Sequence, residues 1–158
     1  MGAKFEIETV SRQFIPPETT QSLFRHLGFD FSADSVMSIK NWDFQDEQIL
    51  HTADMAAVSS LVSEGRIVFV YGTINGVDAG FYFSEEEKLF HTGLWFDTVL
   101  QSKPKMEDEG YTLLRRELNL FIPYDPVCAA IGTEIYLNFY TTEEETRSKS
   151  TADLIIWY

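Results

Sequence analysis

Cysteine is nearly absent from the sequence, and Cys128 is its one occurrence. A single thiol cannot form an intramolecular disulfide, and it cannot supply the paired thiolates of a structural zinc site. The three histidines, His26, His51 and His91, are far apart and form no His-Glu-x-x-His motif. We therefore expect no disulfide framework, no metal site and no cofactor.

Basic residues are also scarce, with 12 Lys and Arg against 25 Asp and Glu, so the formal charge is −13. A nucleic acid or an anionic membrane is bound through clustered basic side chains, whereas the basic residues of this chain are scattered along it. No apolar run approaches the ~20 residues of a membrane span. The N-terminal residues MGAKFEIETV do not resemble a signal peptide. We expect a cytoplasmic protein that binds neither nucleic acid nor membrane.

Several catalytic motifs are missing as well. No Gly-x-Ser-x-Gly occurs, which argues against a hydrolase of the nucleophile-elbow type. The regular spacing of Gly72, Gly76 and Gly80 lacks the Lys-Ser/Thr of a phosphate-binding loop. Cys128 lies in the apolar stretch Pro-Val-Cys-Ala-Ala-Ile, which disfavours a thiolate. We predict that it is a small core residue rather than a nucleophile.

What the chain does contain is apolar and aromatic residues, at 44% and 15% of its length, which is typical of a folded globular protein. Its 158 residues suit one domain, spanning 1–158. Asn75-Gly76 between two β-rich runs predicts a hairpin, because a type I′ turn favours this dipeptide. Apolar periodicity predicts further strands near residues 4–9 (an outer strand with one wet face), 35–42, 89–96, 133–140 and 152–158, and helices near 17–27, 53–64 and 110–121. We expect an α+β fold with a single, mainly antiparallel sheet of about five to seven strands and about three helices largely on one face.

The surplus acidic residues occur in clusters that the periodicity assigns to loops or helix starts, with a turn or loop expected at Glu143, Glu144 and Glu145. One cluster precedes the predicted helix at 110–121, at Glu107, Asp108 and Glu109. The others, together with neighbouring aromatic residues, form the candidate binding set: Trp42, Asp43, Phe44, Asp46, Glu47, Glu85, Glu86, Glu87, Tyr124, Asp125, Glu143, Glu144 and Glu145. Such runs are either solvated loops or a field presented to a positive partner.

In size, acidity and lack of a catalytic motif, the chain resembles bacterial immunity proteins. That resemblance implies a cytoplasmic inhibitor that neutralises a basic partner protein such as a toxin. Loop carboxylates would set the association rate, and aromatic anchors would supply most of the affinity. The sequence does not define the oligomeric state.

A small enzyme or ligand-binding domain is the alternative hypothesis. Its pocket would lie between the sheet and the helices and would use Asp97, His91 or Asp125. A pocket with converging polar groups would favour this alternative, whereas a flat acidic surface would favour the inhibitor.

Overall fold

The computed structural model describes residues 4–26, 31–41, 47–50, 55–74, 76–97, 118–133 and 142–158. The strands are β1 (Lys4–Ser11), β2 (Phe31–Lys40), β3 (Glu47–Leu50), β4 (Ile67–Ile74), β5 (Val77–Glu86), β6 (Leu89–Asp97), β7 (Pro126–Thr133) and β8 (Leu154–Trp157). The helices are α1 (Pro17–His26), α2 (Val58–Ser63), α3 (Leu118–Phe121) and α4 (Glu143–Lys149), and 3-10 turns lie at Met55–Ala57 and Ile122–Tyr124.

The strands form one sheet in the order β3-β2-β4-β5-β6-β1-β7-β8, and every described pairing is antiparallel. The predicted α+β class is therefore confirmed, but the sheet has eight strands rather than five to seven. The sequence prediction missed β3, because its four residues Glu-Gln-Ile-Leu show no clear alternation of apolar and polar side chains. It also missed β7, because Ala129, Ala130 and Gly132 have low β-propensity.

The predicted hairpin is confirmed, since Ile74 of β4 pairs with Val77 of β5 around Gly76, whose φ is 78°. The strand β6 continues this meander by pairing with β5 along its whole length. The predicted strand at 152–158 is present as β8, which pairs with β7. The strand predicted at 133–140 lies almost entirely outside the described residues.

The helix predictions at 17–27 and 53–64 are confirmed as α1 and as the turn Met55–Ala57 followed by α2. Of the helix predicted at 110–121, only α3 falls within the described residues. The turn or loop expected at Glu143, Glu144 and Glu145 was wrong, because these residues form the first turn of α4. The Thr142 side chain accepts a hydrogen bond from the Glu145 backbone N–H (3.1 Å), and acids are favoured in a first helical turn.

One face of the sheet, which we call the helix face, carries the main hydrophobic core. Helices α1, α2 and α3 pack on it through Leu23, Val58, Val62 and Phe121. The strands contribute alternate residues of the antiparallel ladder: Phe5, Ile7, Met37, Ile39, Val68, Val70, Phe81, Phe83, Leu94 and Phe96. Within the described ranges, no helix has the length and apolar character needed to cross a bilayer.

The opposite face, which we call the polar face, is formed by the intervening residues of the strands. Its central members are Glu6, Glu8, Phe69, Tyr71, Tyr82, His91 and Trp95. The prediction that residues 4–9 form an outer strand with one wet face was wrong, because β1 lies between β6 and β7. Glu8 on its polar side is only 6% exposed.

Candidate functional site

The predicted acidic residue Glu47 lies at one edge of the sheet, at the start of β3, and it is locally neutralised. Its carboxylate lies 3.7 Å from the Lys40 ammonium and accepts a 2.6 Å hydrogen bond from the Ser38 hydroxyl. The four candidates that precede it, Trp42, Asp43, Phe44 and Asp46, lie outside the described residues.

The cluster Glu143, Glu144 and Glu145 lies just before β8, the strand at the opposite edge of the sheet. Glu143 accepts a 2.9 Å hydrogen bond from Arg147, and Glu145 accepts a 3.1 Å hydrogen bond from Lys149. Both pairs join residues one helical turn apart, so two of the three carboxylates in this cluster are neutralised within α4.

Arg147 also has a structural role at the sheet edge. Its guanidinium donates a 3.2 Å hydrogen bond to the backbone oxygen of Ile155 in β8. An edge strand carries backbone groups that a second chain could pair with, and a charged side chain bound there opposes such pairing. The acidic cluster in α4 therefore helps to hold an edge-protecting arginine.

The cluster Glu85, Glu86 and Glu87 lies at the tip of the β5–β6 hairpin, where Glu86 pairs with Leu89. Glu86 and Glu87 are exposed, and Glu85 is half-buried. Within the described part of the chain, none of the three carboxylates forms an ion pair. Glu87 and Lys88 have φ values of 51° and 65°, as a type I′ turn requires of its two central residues.

Tyr124 and Asp125 are at the same end of the sheet, where the chain enters β7. The Tyr124 hydroxyl is hydrogen-bonded to the Thr19 hydroxyl (3.1 Å). Asp125 has φ 51° and forms a 3.2 Å ion pair with Arg12, both side chains being more than half exposed. The backbone N–H groups of Arg12 and Gln13 donate to the oxygens of Asp125 and Tyr124.

We call this part of the surface the acidic end, and its members are Glu85, Glu86, Glu87, Ile122, Tyr124 and Asp125. The strand β1 separates β6 from β7, so the hairpin tip and Asp125 are about 10 Å apart across the sheet. Ile122 is 56% exposed and was not among the predicted site residues. Its position beside Pro123 in a 3-10 turn is what exposes it.

The backbone at the acidic end is strained. Among the described residues, the non-glycine positions with positive φ are Glu87, Lys88 and Asp125, and all three lie here. A non-glycine residue in this conformation costs about 1–3 kcal/mol, and such residues concentrate at binding and switch sites. The structure thus brings together the hairpin cluster and the Tyr124–Asp125 segment, and it leaves Glu47 and α4 at separate edges.

A second polar cluster lies within the polar face and joins three strands. The His91 Nδ1 of β6 lies 3.0 Å from the Glu8 carboxylate of β1, and both side chains are only 7% exposed. The Tyr82 hydroxyl of β5 donates a hydrogen bond to the same carboxylate. The Glu8 carboxylate and the His91 Nδ1 are hydrogen-bonded, and Nε2 is the ring's second polar atom.

That second nitrogen has no hydrogen-bond partner among the described residues, although it is buried. A buried polar atom without a partner costs about 1–3 kcal/mol, and most such atoms in proteins are paired. Thr92 Oγ1 is likewise buried and unpaired, but it lies on the helix face. Alternation placed Glu8 on a wet face, so the Glu8–His91 pair could not be predicted from the sequence.

Burial and negative charge shift the titration of the groups around Glu8. Burial, the charges of Glu8 and Glu6, and the hydrogen bond to Glu8 all raise the pKa of the Tyr82 phenol well above its usual value. Burial, with a smaller effect from Glu8, raises the pKa of the Cys128 thiol to about 12. Cys128 is fully buried, so the prediction that it is a core residue is confirmed.

Two glycines allow aromatic rings to lie directly on the polar face. A Cβ added to Gly93 would overlap the Tyr82 ring, and one added to Gly80 would lie 2.8 Å from the Trp95 ring and 2.5 Å from the Val70 backbone oxygen. The rings of Phe69 and Tyr71 stack at 6.4 Å, and Phe69 lies 6.2 Å from Tyr82. The polar face therefore combines packed aromatic rings with a buried carboxylate and imidazole.

The pocket predicted between sheet and helices, with Asp97, His91 or Asp125, is not assembled by the described side chains. His91 lies on the face opposite the helices, and Asp125 is held by Arg12. The Asp97 side chain lies outside the described part. The described residues also contain no group of three or more His, Cys, Asp or Glu side chains that could hold a metal ion.

Comparison with known proteins gives no further assignment: no family model, no curated protein and no solved structure matches the chain.

Proposed function

We propose that this chain is an acidic protein-binding domain that holds a basic partner protein at the acidic end of its sheet. The partner we propose is a toxin, so the domain would act as an inhibitor of the immunity type. The observation that supports this function is the hairpin tip, where exposed carboxylates that form no ion pair with any described residue lie on a strained turn. The low-dielectric surface of a partner would strengthen their attraction to its Lys and Arg side chains.

The two hairpins of the β4–β5–β6 meander show why the tip is unusual. The β4–β5 connection carries Asn75-Gly76, the dipeptide that adopts a type I′ turn at least cost. The β5–β6 connection needs positive φ at both positions but carries Glu87-Lys88. A sequence selected only for stability would have used Asn-Gly twice, so the charged tip is consistent with selection for binding.

In this proposal, the charges and the apolar side chains contribute differently. The carboxylates of Glu85, Glu86 and Glu87 attract a basic surface and raise the association rate, from about 10⁵–10⁶ toward 10⁸–10⁹ M⁻¹s⁻¹ at low salt. Ile122, with Tyr124 beside it, supplies the buried contact that sets the dissociation rate.

The sharpest test replaces the strained turn by the relaxed one, with Glu87→Asn and Lys88→Gly together. The net charge does not change, because one acid and one base are removed. We expect the free energy of unfolding to rise by about 1 kcal/mol, since the strain is relieved. We expect binding to the partner purified from native cytosol to weaken, as measured by surface plasmon resonance. A more stable variant that binds as tightly as the wild type would contradict the proposal.

Two double charge-reversal variants test which part of the surface attracts the basic partner. Glu86→Lys with Glu87→Lys changes the tip, whereas Asp78→Lys with Glu144→Lys makes the same charge change at exposed sites at the far end of β5 and on α4. We expect the first variant to associate at least tenfold more slowly and the second to remain close to the wild type. Association should also slow as salt rises, because salt screens exposed charges. Equal effects of the two variants would assign the attraction to net charge alone.

The second candidate function is a small enzyme or ligand-binding domain, and the buried Glu8–His91 pair is the observation that favours it. Its site would lie on the polar face rather than between sheet and helices. A histidine oriented by a carboxylate is a common arrangement for accepting a proton or a hydrogen bond.

A further inference from the structure

The two edges of the sheet are protected to different degrees. At the β8 edge, the Arg147 guanidinium donates to the backbone oxygen of Ile155 at 3.2 Å, where it opposes pairing with another strand. At the other edge, β3 has β2 as its single neighbour among the described strands. No described side chain is hydrogen-bonded to the backbone of β3.

The side chains of β3 are accessible on both faces of the sheet. Glu47, Gln48 and Ile49 are all exposed, and consecutive residues of a strand point to opposite faces. Ile49 pairs with Ser38 on the polar face and is 53% exposed. An accessible edge strand that carries an apolar side chain is a template for pairing with a further strand.

The β3 edge is locally neutral, although the whole chain has a formal charge of −13. Its one ionised side chain, Glu47, lies 3.7 Å from the Lys40 ammonium, and its other residues are uncharged. This edge therefore does not select a basic strand. It matches an uncharged, partly apolar strand, and β3 is itself such a strand.

We propose that β3 pairs with β3 of a second copy of this chain, antiparallel about a two-fold axis, so that the sheet continues from one copy into the other. A two-fold interface brings the same surface of both copies together. In the register that sets the two Ile49 side chains opposite each other, each covers the exposed apolar surface of the other. This inference goes beyond the proposed function and uses no residue of the acidic end.

That register also keeps the like charges of the two edges apart. The Glu47 residues of the two copies are four positions apart along the paired strands, which is about 14 Å. This separation exceeds the Debye length of about 8 Å at physiological salt, so Glu47 opposes the pairing little.

Sedimentation equilibrium of the purified chain, from about 5 µM to about 1 mM, tests the association. We expect the average mass to rise from 18.2 kDa toward twice that value. Because a contact of four residues is small, we expect a Kd on the order of 100 µM. Added salt should tighten the dimer, since it screens the repulsion between two acidic chains, whereas it should weaken binding at the acidic end.

Two isoleucine variants test the place of the contact. Ile49→Lys and Ile122→Lys make the same change in charge and size at side chains that are 53% and 56% exposed. We expect Ile49→Lys to raise the dimer Kd at least tenfold and Ile122→Lys to leave it within about twofold. Both side chains are exposed, so we expect both variants to fold.

Amide NMR of the wild-type protein gives a second measure of the place. The amide resonances of Gln48 and Ile49 should shift as the protein concentration rises, and those of Ile155 and Trp157 in β8 should not.

Three results would overturn the proposal: the mass of one chain at every concentration, equal weakening by the two isoleucine variants, or shifts at β8 without shifts at β3. The wild-type mass and spectra decide the matter even where a variant fails to fold. None of these measurements uses the basic partner, so the dimer and the proposed function can fail separately.

Discussion

The helix face and the polar face of the sheet bury their side chains by different means. On the helix face, apolar side chains such as Phe81 and Val70 meet three helices. On the polar face, aromatic rings lie on glycines, and the Glu8 carboxylate is hydrogen-bonded to the side chains of His91 in β6 and Tyr82 in β5. The difference shows that alternation of apolar and polar residues identifies the apolar face but does not show that the other face is wet.

The largest expected effect on stability comes from replacing one phenylalanine on each face of the sheet and comparing the two losses. Phe81→Ala on the helix face removes a fully buried ring and should lower the free energy of unfolding by about 4 kcal/mol, measured in urea. Phe69→Ala removes a half-buried ring of the polar face and should cost less than half as much. Equal losses would show that the two faces are packed equally tightly.

The next effect tests the glycine-dependent packing of the polar face. Gly93→Ala would drive the Tyr82 ring from its place and break the contact with Glu8, so we expect a loss of about 3 kcal/mol. Gly76→Ala is the control, because its φ is positive but nothing lies near its Cβ, and it should cost about 1 kcal/mol. Thermal unfolding measures both, and a smaller loss for Gly93→Ala would contradict this packing.

Glu8→Gln should have a smaller effect, about 2 kcal/mol at neutral pH. The amide oxygen still accepts a hydrogen bond, but the charged acceptor shared by His91 and Tyr82 is lost. Glu86→Gln makes the same change at the exposed hairpin tip and should leave urea unfolding nearly unchanged. Similar midpoints for the two variants would show that the buried hydrogen bonds contribute little.

The smallest effect is a dependence of stability on alkaline pH. The Cys128 thiol has its pKa raised to about 12 by burial, whereas in the unfolded chain it ionises near 9. The folded state thus retains the proton longer, and the free energy of unfolding falls as pH rises through this window. This group should contribute about 1.4 kcal/mol of loss between pH 8 and pH 10.

Urea unfolding at a series of pH values checks that dependence, with Cys128→Ala as the comparison. The variant should lose stability more gradually than the wild type, and a decline of equal steepness would assign the effect to other groups. Tyr82 remains in both proteins, and its raised pKa adds to the decline above pH 10.

The sequence predicted the parts of the fold that depend on local pattern. Asn75-Gly76 located the hairpin, and apolar periodicity located α1 and β8. The place of β1 in the sheet could not be predicted, because it depends on pairing with β6 and β7, far along the chain. Ala129 and Ala130 were not predicted as strand residues, because alanine is uncommon in strands. Here small side chains fit between the neighbouring strands β1 and β8, and the sequence around them does not show that these strands are near.

The candidate sites were predictable to a lesser degree. The acidic tip at Glu85, Glu86 and Glu87 was evident from composition, but its strained backbone was not. The ion pairs of Glu143 and Glu145 could not be predicted, because they join residues one helical turn apart and a loop was expected there. The Glu8–His91 pair joins residues 83 positions apart, so only the register of two adjacent strands could reveal it.

The interior position of β1 also has a consequence for biosynthesis. Ile7 has Leu94 on one side and Ile131 on the other, so the ribosome delivers the first strand seconds before either neighbour exists. The block from β2 to β6 is contiguous in both sequence and sheet order, so its own strand pairings need no residue of β1, β7 or β8. The strand β1 is therefore translated before both strands that flank it, and its docking joins the meander to β7 and β8.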